Sequence, residues 1–395
     1  MSKNIFFKGA KLISGTGNAV IENSGLLLED NKIKEIGSAD KFQLKSDTTI
    51  VDLSGKTIMP GMINCHVHIT MEPVGDPFAQ KQSDATIAFH AAANAKKYLK
   101  AGVTFVKDMG APNFINIDIR DAVNSGLIEG TRILASGKPL TMTGGHGWQM
   151  GRECDGVDEV RKAAREQLRA GADFLKIMAT GGVMTPGVEP GSPQLNQDEI
   201  EAAVIEAHKV GKKTSTHAQG ATGIKNAVLA GIDSVEHGIY LTDEIIELML
   251  QRGTYLVPTL NAPYFIVENG IEAGIPAYMV EKSKRVIEDH IKSFQKAKAA
   301  GVKIAMGTDG STPFNGPEKT AFELNLMVKA GLTPMEAIVA STKTAAELLG
   351  VDKDFGTLEA GKIADFIVLN EDPLLNIDTL MNVVEVYKDG KKIIF

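Results

Sequence analysis

The sequence predicts an α/β fold: a (β/α)8 barrel carrying a small β-sandwich assembled from both chain termini. Three observations carry this. A phrase of helical segment, glycine and short β-rich run recurs through the middle of the chain. Eight such apolar runs alternate there with helical stretches, and both ends read as strands and turns.

The recurring phrase appears as "KAGVTFVKD", "RAGADFLKIMATGG", "KVGKKTSTHAQG", "LAGIDSVEHG", "QRGTYLVPTL" and "AAGVKIAMGTDG". Its glycine suits the left-handed cap after a helix, and the Val/Ile/Thr/Phe-rich run suits a buried parallel strand. "SDATIAFHAAANAKKYLK" and "DEVRKAAREQLR" read as amphipathic helices, and Asn196 is the N-cap candidate of "NQDEIEAAVIEAHK". The eight strands are "TIMPGMINCHVH", "VTFVKD", "RILAS", "DFLKIMA", "KTSTHA", "DSVEH", "TYLVPT" and "KIAMGTD". A doubly wound open sheet is the rival, but no G-x-G-x-x-G follows the first strand. The expected division is residues 1–56 and 355–395 for the sandwich and 57–354 for the barrel, with "DG" near the end as a hairpin signal.

Composition narrows the function. A chain of 395 residues with 43% hydrophobic and 23% charged residues can bury a large core. A net charge of −7 without a basic cluster opposes nucleic acid or an anionic membrane as main partner. Two cysteines, Cys65 and Cys154, make neither a disulfide framework nor a C-x-x-C site, which fits a reducing cytoplasm. The start has no signal-peptide core, and no apolar stretch is long enough for a membrane span. A small molecule is the expected partner, and assembly as a homo-oligomer stays open.

A barrel gathers its chemistry at the carboxyl ends of its strands. His66 and His68, two apart on a strand, share a face, with Cys65 turned to the core. Lys176 ends the fourth strand, His217 the fifth, His237 the sixth and Asp309 the eighth. Separate strands thus deliver metal-competent residues to one rim. Lys176 is the odd member, since a protonated amine has no lone pair to donate. It either reaches solvent or an acid, or it reacts with carbon dioxide to form an anionic carbamate that can bridge two metal ions.

The "HVH" strand, the lysine of "FLKIMATGGV", the histidines of "THA" and "EHG", and "GTDG" together resemble the amidohydrolase superfamily over nearly the whole chain, including "GTLEAGKIADFIVL". "TGGHG" and "KIMATGGV" are similar to its prolidase-like and arginine-carboxypeptidase-like, imidazolonepropionase-related branch. The resemblance implies that His66, His68 and Asp309 bind a first metal, His217 and His237 a second, and carboxylated Lys176 both. It implies two divalent ions, zinc by default, and amide hydrolysis by a hydroxide held between them. Asp309 then serves as ligand and proton shuttle.

His146, in "TMTGGHGWQM", is either a solvent-exposed loop histidine or a hydrogen-bond donor to the substrate oxyanion. Tyr240 either packs under a loop or binds a substrate carboxylate. Lys107, where the family usually shows arginine, is read as an ion pair with Asp108 at the rim. Trp148 and Arg152 are further candidates for substrate contact. His90, His208 and His290 lie in helical segments and are read as structural or exposed. "GGVMTPGVEPGSPQ" reads as a mobile cover. The expected substrates are dipeptides or N-acyl amino acids with a free carboxylate. Lactone, phosphotriester or cyclic-amide hydrolysis is the catalytic alternative, and a non-catalytic metal-binding scaffold the alternative of another class. Deamination is disfavoured, because Gly220 stands where those enzymes place a glutamate.

Overall fold

The computed structural model describes residues 4–395. Seven parallel strands follow one another through the centre of the chain. They are Met62–Val67, Val103–Asp108, Arg132–Ala135, Phe174–Met178, Lys213–Ala218, Ser234–His237 and Tyr255–Val257. The first three form one parallel sheet. The last four form another, extended at one edge by the short pairs Leu140–Thr141 and Arg152–Glu153. Helices alternate with them because each intervening stretch has an apolar stripe to bury. Asp84–Lys100, Val157–Ala170, Gln197–His208 and Asp243–Arg252 all follow this rule. Gly171, Gly253 and Gly301 end their helices in the left-handed conformation. Asn196 is the N-cap, as expected, and with Glu199 it closes a capping box.

Two expected strands differ. The run 57–68 is two strands: Thr57–Pro60 pairs antiparallel with Phe366–Leu369, and only Met62–Val67 enters the parallel sheet. Gly61 lies at the break and packs closely, since a Cβ there would lie 2.3 Å from the Thr104 side chain. The run 303–309 forms no regular strand. It carries single bridges, Leu256 to Ile304 and Val67 to Gly310. There the Asn64 side chain joins the pairing: its Oδ1 accepts from His66 N (3.1 Å) and Thr308 N (3.2 Å), and Thr308 N also meets His66 O (3.3 Å). Backbone bonds still tie the segment to both neighbours: Ala305 N donates to Leu256 O (3.0 Å) and Cys65 N to Met306 O (2.8 Å).

The two ends of the chain meet in one eight-stranded sheet, branched at Asn4–Leu12. That strand pairs with Thr49–Asp52 along its first half and with Thr57–Pro60 beyond it, so the pairing is one branched sheet rather than two separate ones. Phe7, Leu26, Phe366 and Tyr387 fill its core, and the rings of Phe366 and Tyr387 stack at 4.3 Å. Arg132 joins this sheet to the parallel strands by pairing with Asp365 and with Asp389 (2.6 Å). Cys65 and Cys154 are buried free thiols. No helix among the described residues is long and apolar enough to cross a membrane.

Candidate metal centre and active site

At the carboxyl end of the first strand, His66 and His68 turn to one side. Their Nε2 atoms each lie 3.2 Å from Asp309 Oδ1. These three residues have ligand atoms within 4.8 Å of one another. Lys176, His217 and His237 line the same cavity as those three. His217 and His237 have ring centroids 4.5 Å apart, and His66 and His237 5.2 Å.

Hydrogen bonding decides which ring nitrogen is left for a metal. His66 Nδ1 contacts Glu236 Oε2 at 2.8 Å. His237 Nδ1 contacts Thr259 Oγ1 at 2.7 Å, and His217 Nε2 faces Gly181 O at 3.0 Å. A nitrogen that gives its hydrogen to such a partner leaves a lone pair on its mate. A carboxylate and a carbonyl only accept, so His66 Nε2 and His217 Nδ1 are free, whereas the Thr259 hydroxyl can accept from or donate to His237 Nδ1. His66 Nε2 and Asp309 Oδ1 then face each other with lone pairs unless a proton or a cation lies between them. A divalent cation fits this donor set of imidazoles and carboxylate.

Burial sets the charges. It pushes His217 and His237 well below the ordinary imidazole range, as metal-ligating neutral histidines require. Burial pushes Asp309 up, but His66 and His68 outweigh it and hold the carboxyl well below its usual range. Lys176, 1% exposed, is pushed down to about 8 by burial, and no hydrogen bond engages its amine among the described residues. A buried, unengaged amine of that basicity fits reaction with carbon dioxide.

Outer residues hold the ligands. Glu236 accepts from Ser234 Oγ (2.6 Å), Ser234 meets Ser215 (2.8 Å), and Lys107 Nζ donates to Ser215. Lys107 is thus buried beneath the site, its Nζ 4.6 Å from the Phe174 ring centroid, and forms no ion pair with Asp108. Successive strand residues point to opposite faces. Asp108 instead accepts from Ile69 N (2.6 Å) and Asn116 Nδ2 (2.7 Å). Glu236 and His237 are also neighbours, yet both reach the centre, because His237 has a φ of 71° and turns back as the strand ends.

His146 is a half-buried member of the site rather than a solvent-exposed loop residue. Its ring lies 4.2 Å from that of His217, and its Nδ1 is 2.9 Å from Thr185 Oγ1. Burial pushes it down to about 3, so the ring is neutral. Gly182 makes room, since a Cβ there would meet the imidazole at 2.6 Å. Tyr240 stands apart from the cavity walls. Its backbone donates to Gln219 O (2.9 Å), and its hydroxyl has no partner among the described residues. Trp148 lines an outer vestibule that meets the cavity at Met71, Phe78 and Met150. Arg152 turns away to Glu166 (2.9 Å). His90 and His208 pair with Glu72 and Asp233 outside the cavity.

The segment after the fourth strand is tied down rather than free. Tyr278, Lys282 and Arg285 follow one face of the helix Ala277–Ala300 and all grip it. Tyr278 donates to Met184 O (3.1 Å), Lys282 to Thr185 O (2.8 Å) and to Val188 O, and Arg285 to Glu189 (2.8 Å). Sequence reasoning passed over Glu236, Thr259, Thr185 and Lys282, and it read His290 as structural or exposed. Only Glu236 carried a sequence signal, its place beside His237.

Parallel strands whose carboxyl ends converge on a histidine, lysine and aspartate centre define a class of metal-dependent hydrolase. The profile of the Amidohydrolase family matches residues 57–393, and the chain belongs to that family. It is 33% identical to an ochratoxinase from Aspergillus niger, over 96% of this chain and 84% of that protein. It is likewise 33% identical to a crystallised Xaa-Pro dipeptidase with methionine bound in its active site. That likeness covers 99% of this chain and all of the other, with a TM-score of 0.92. A prolidase complexed with N-methylphosphonate-L-proline is 29% identical, also with a TM-score of 0.92, over 99% of both chains. The chain is a hydrolase acting on carbon–nitrogen bonds.

Proposed function

We propose that this chain is a two-metal amidohydrolase built on a (β/α)8 barrel, cleaving dipeptides or N-acyl amino acids that keep a free carboxylate. The observation that carries the reading is the convergence of His66, His68, Lys176, His217, His237 and Asp309 on one cavity. Three of the four histidines have one ring nitrogen engaged and the other left over. Likeness to a Xaa-Pro dipeptidase and a prolidase supports the substrate class. Closure of the barrel is supported by the bond from Asp173 N to Ala135 O (2.8 Å) and by those of residues 303–310. The proposed division is 57–354 for the barrel and 1–56 with 355–395 for the terminal unit.

In this reading His66, His68 and Asp309 would hold one ion, His217 and His237 the other. Lys176, as a carbamate made from carbon dioxide with loss of a proton, would span both. Zinc suits these donors. Bound divalent ions lower the pKa of coordinated water and polarise a carbonyl. The chain supplies the rest. Asp309 takes the proton of the attacking water and returns it to the departing amine. His146, neutral and accepting at Nδ1 from the Thr185 hydroxyl, would offer its Nε2 hydrogen to the developing oxyanion. Tyr240, which does not line the cavity, would meet the substrate carboxylate only where the substrate extends beyond it.

Metal analysis together with a panel of dipeptides and N-acyl amino acids tests the reading. Two ions per chain and hydrolysis are expected, with kcat/KM falling about 10²-fold when the carboxylate is amidated. Equal rates on amidated substrates, lactones or phosphotriesters would overturn the assignment. Protein that binds metal but cleaves no amide would make it a scaffold.

A further inference from the structure

Beside His217 and His237 the cavity extends into a second, narrow lobe, closed on one side by the helix Ala277–Ala300. Val183, Ile239, Ile266 and Val286 make its walls apolar. Three polar side-chain atoms lining it have no hydrogen-bond partner among the described residues: Ser283 Oγ, His290 Nδ1 and Gln219 Oε1. All three residues are more than nine-tenths buried, at 0%, 1% and 6% exposure. Burying a polar atom unpaired is costly, so three in one lobe mark a place where something else supplies the partner.

The chemistry of that partner follows from the atoms. Ser283 and His290 are seven residues apart, two helical turns on one face. His290 Nε2 faces two carbonyl oxygens, Pro258 O at 2.7 Å and His237 O at 3.0 Å, so it carries the ring hydrogen. Nδ1 of the neutral ring is then a bare acceptor, and a serine hydroxyl accepts as readily as it donates. No arginine or lysine lines this lobe, so nothing there pairs with a carboxylate.

We propose that this lobe seats a substrate side chain that is apolar and carries one hydrogen-bond donor, a phenol or an indole, with Ser283 and His290 as the residues that select it. This rests on the amide-hydrolase reading and extends it. One side of the scissile amide lies in the lobe, and the free carboxylate stays outside it. A site with buried acceptors rejects an isostere lacking the donor, because the acceptors are then buried unpaired.

The test compares amide substrates differing only in the donor: tyrosine against phenylalanine, and tryptophan against naphthylalanine, varied on the acyl and on the amine side. The donor-bearing member is expected to be favoured about 10-fold or more in kcat/KM on one side of the bond. Ser283→Ala should shrink that ratio at least about 5-fold while melting as a folded protein by circular dichroism. The free amino acids give a second readout. Tyrosine or tryptophan should raise the melting temperature of the metal-loaded enzyme more than phenylalanine does, and Ser283→Ala should abolish the difference. Amide hydrolysis with no donor preference on either side, or a preference unchanged in Ser283→Ala, would overturn the proposal. Failure to cleave any amide would instead overturn the functional reading, and the melting comparison would still decide the lobe.

Discussion

Glu236 Oε2 lies 2.8 Å from His66 Nδ1, and both side chains are buried to within 1%. Burial pushes the glutamate up, yet the bond from His66 and the nearby Lys107 and Lys176 hold it below its usual range. It therefore stays an anion that fixes the His66 tautomer and aims Nε2 at Asp309. Glu236→Gln should lower metal affinity about 10- to 100-fold with the fold intact, as removal of such outer partners does elsewhere. Competition against a chromogenic chelator measures it. An unchanged affinity would mean that packing alone orients His66.

Lys176 has no hydrogen bond to lose, so its replacement tests the carbamate more cleanly than a ligand histidine would. Lys176→Ala should lose bound metal and activity together, and bicarbonate with a short carboxylic acid should restore part of both. Two retained metals and full activity in that variant would exclude the bridge.

Asp309 is proposed to be ligand and proton carrier at once. Asp309→Asn keeps its shape but not its basicity, so kcat should fall about 10²-fold or more. Metal content should fall less than in His66→Ala. A near-native rate in the asparagine variant would move the proton elsewhere.

Lys282 is 5% exposed, and its ammonium is spent on backbone oxygens of the segment that also carries Thr185. Lys282→Met should strand those carbonyls, expose residues 182–189 to proteolysis and lower kcat/KM about 10-fold through a misaligned His146. Lys282→Arg should recover part of the loss. Limited proteolysis followed by mass spectrometry reads the segment directly.

Asp365, 7% exposed beside Arg132, is pushed up by burial to about 6, above its ordinary 3.8. The folded chain then holds this proton more tightly than the unfolded chain. This group's contribution to stability is present at low pH and is lost as pH rises from about 4 to 6. Denaturant titrations should show wild type losing stability relative to Asp365→Asn across that window. A flat difference would mean that Arg132 compensates the burial fully.

Periodicity and local chemistry determined much of this protein from the sequence. Helix, glycine and β-rich run repeat because each unit must bury one helical stripe against a strand, and that rule is local. The runs Val103–Asp108 and Lys213–Ala218 could therefore be read to the residue. The histidines, Lys176 and Asp309 were legible as a set because each lies in or just after such a run, and the structure gathers them in one cavity. Tertiary structure alone decided what depends on residues far apart in sequence. Asn64 binds the amides of His66 and Thr308 where residues 303–309 form no ladder, and Gly61 packs against Thr104 where the first run splits. Lys107 reaches Ser215 and not its neighbour Asp108. His290, in a helix with no distinguishing pattern, becomes a lobe residue only because Pro258 and His237 present their carbonyls to it. A hydrogen bond needs two partners in place, and packing rather than sequence spacing chooses the second.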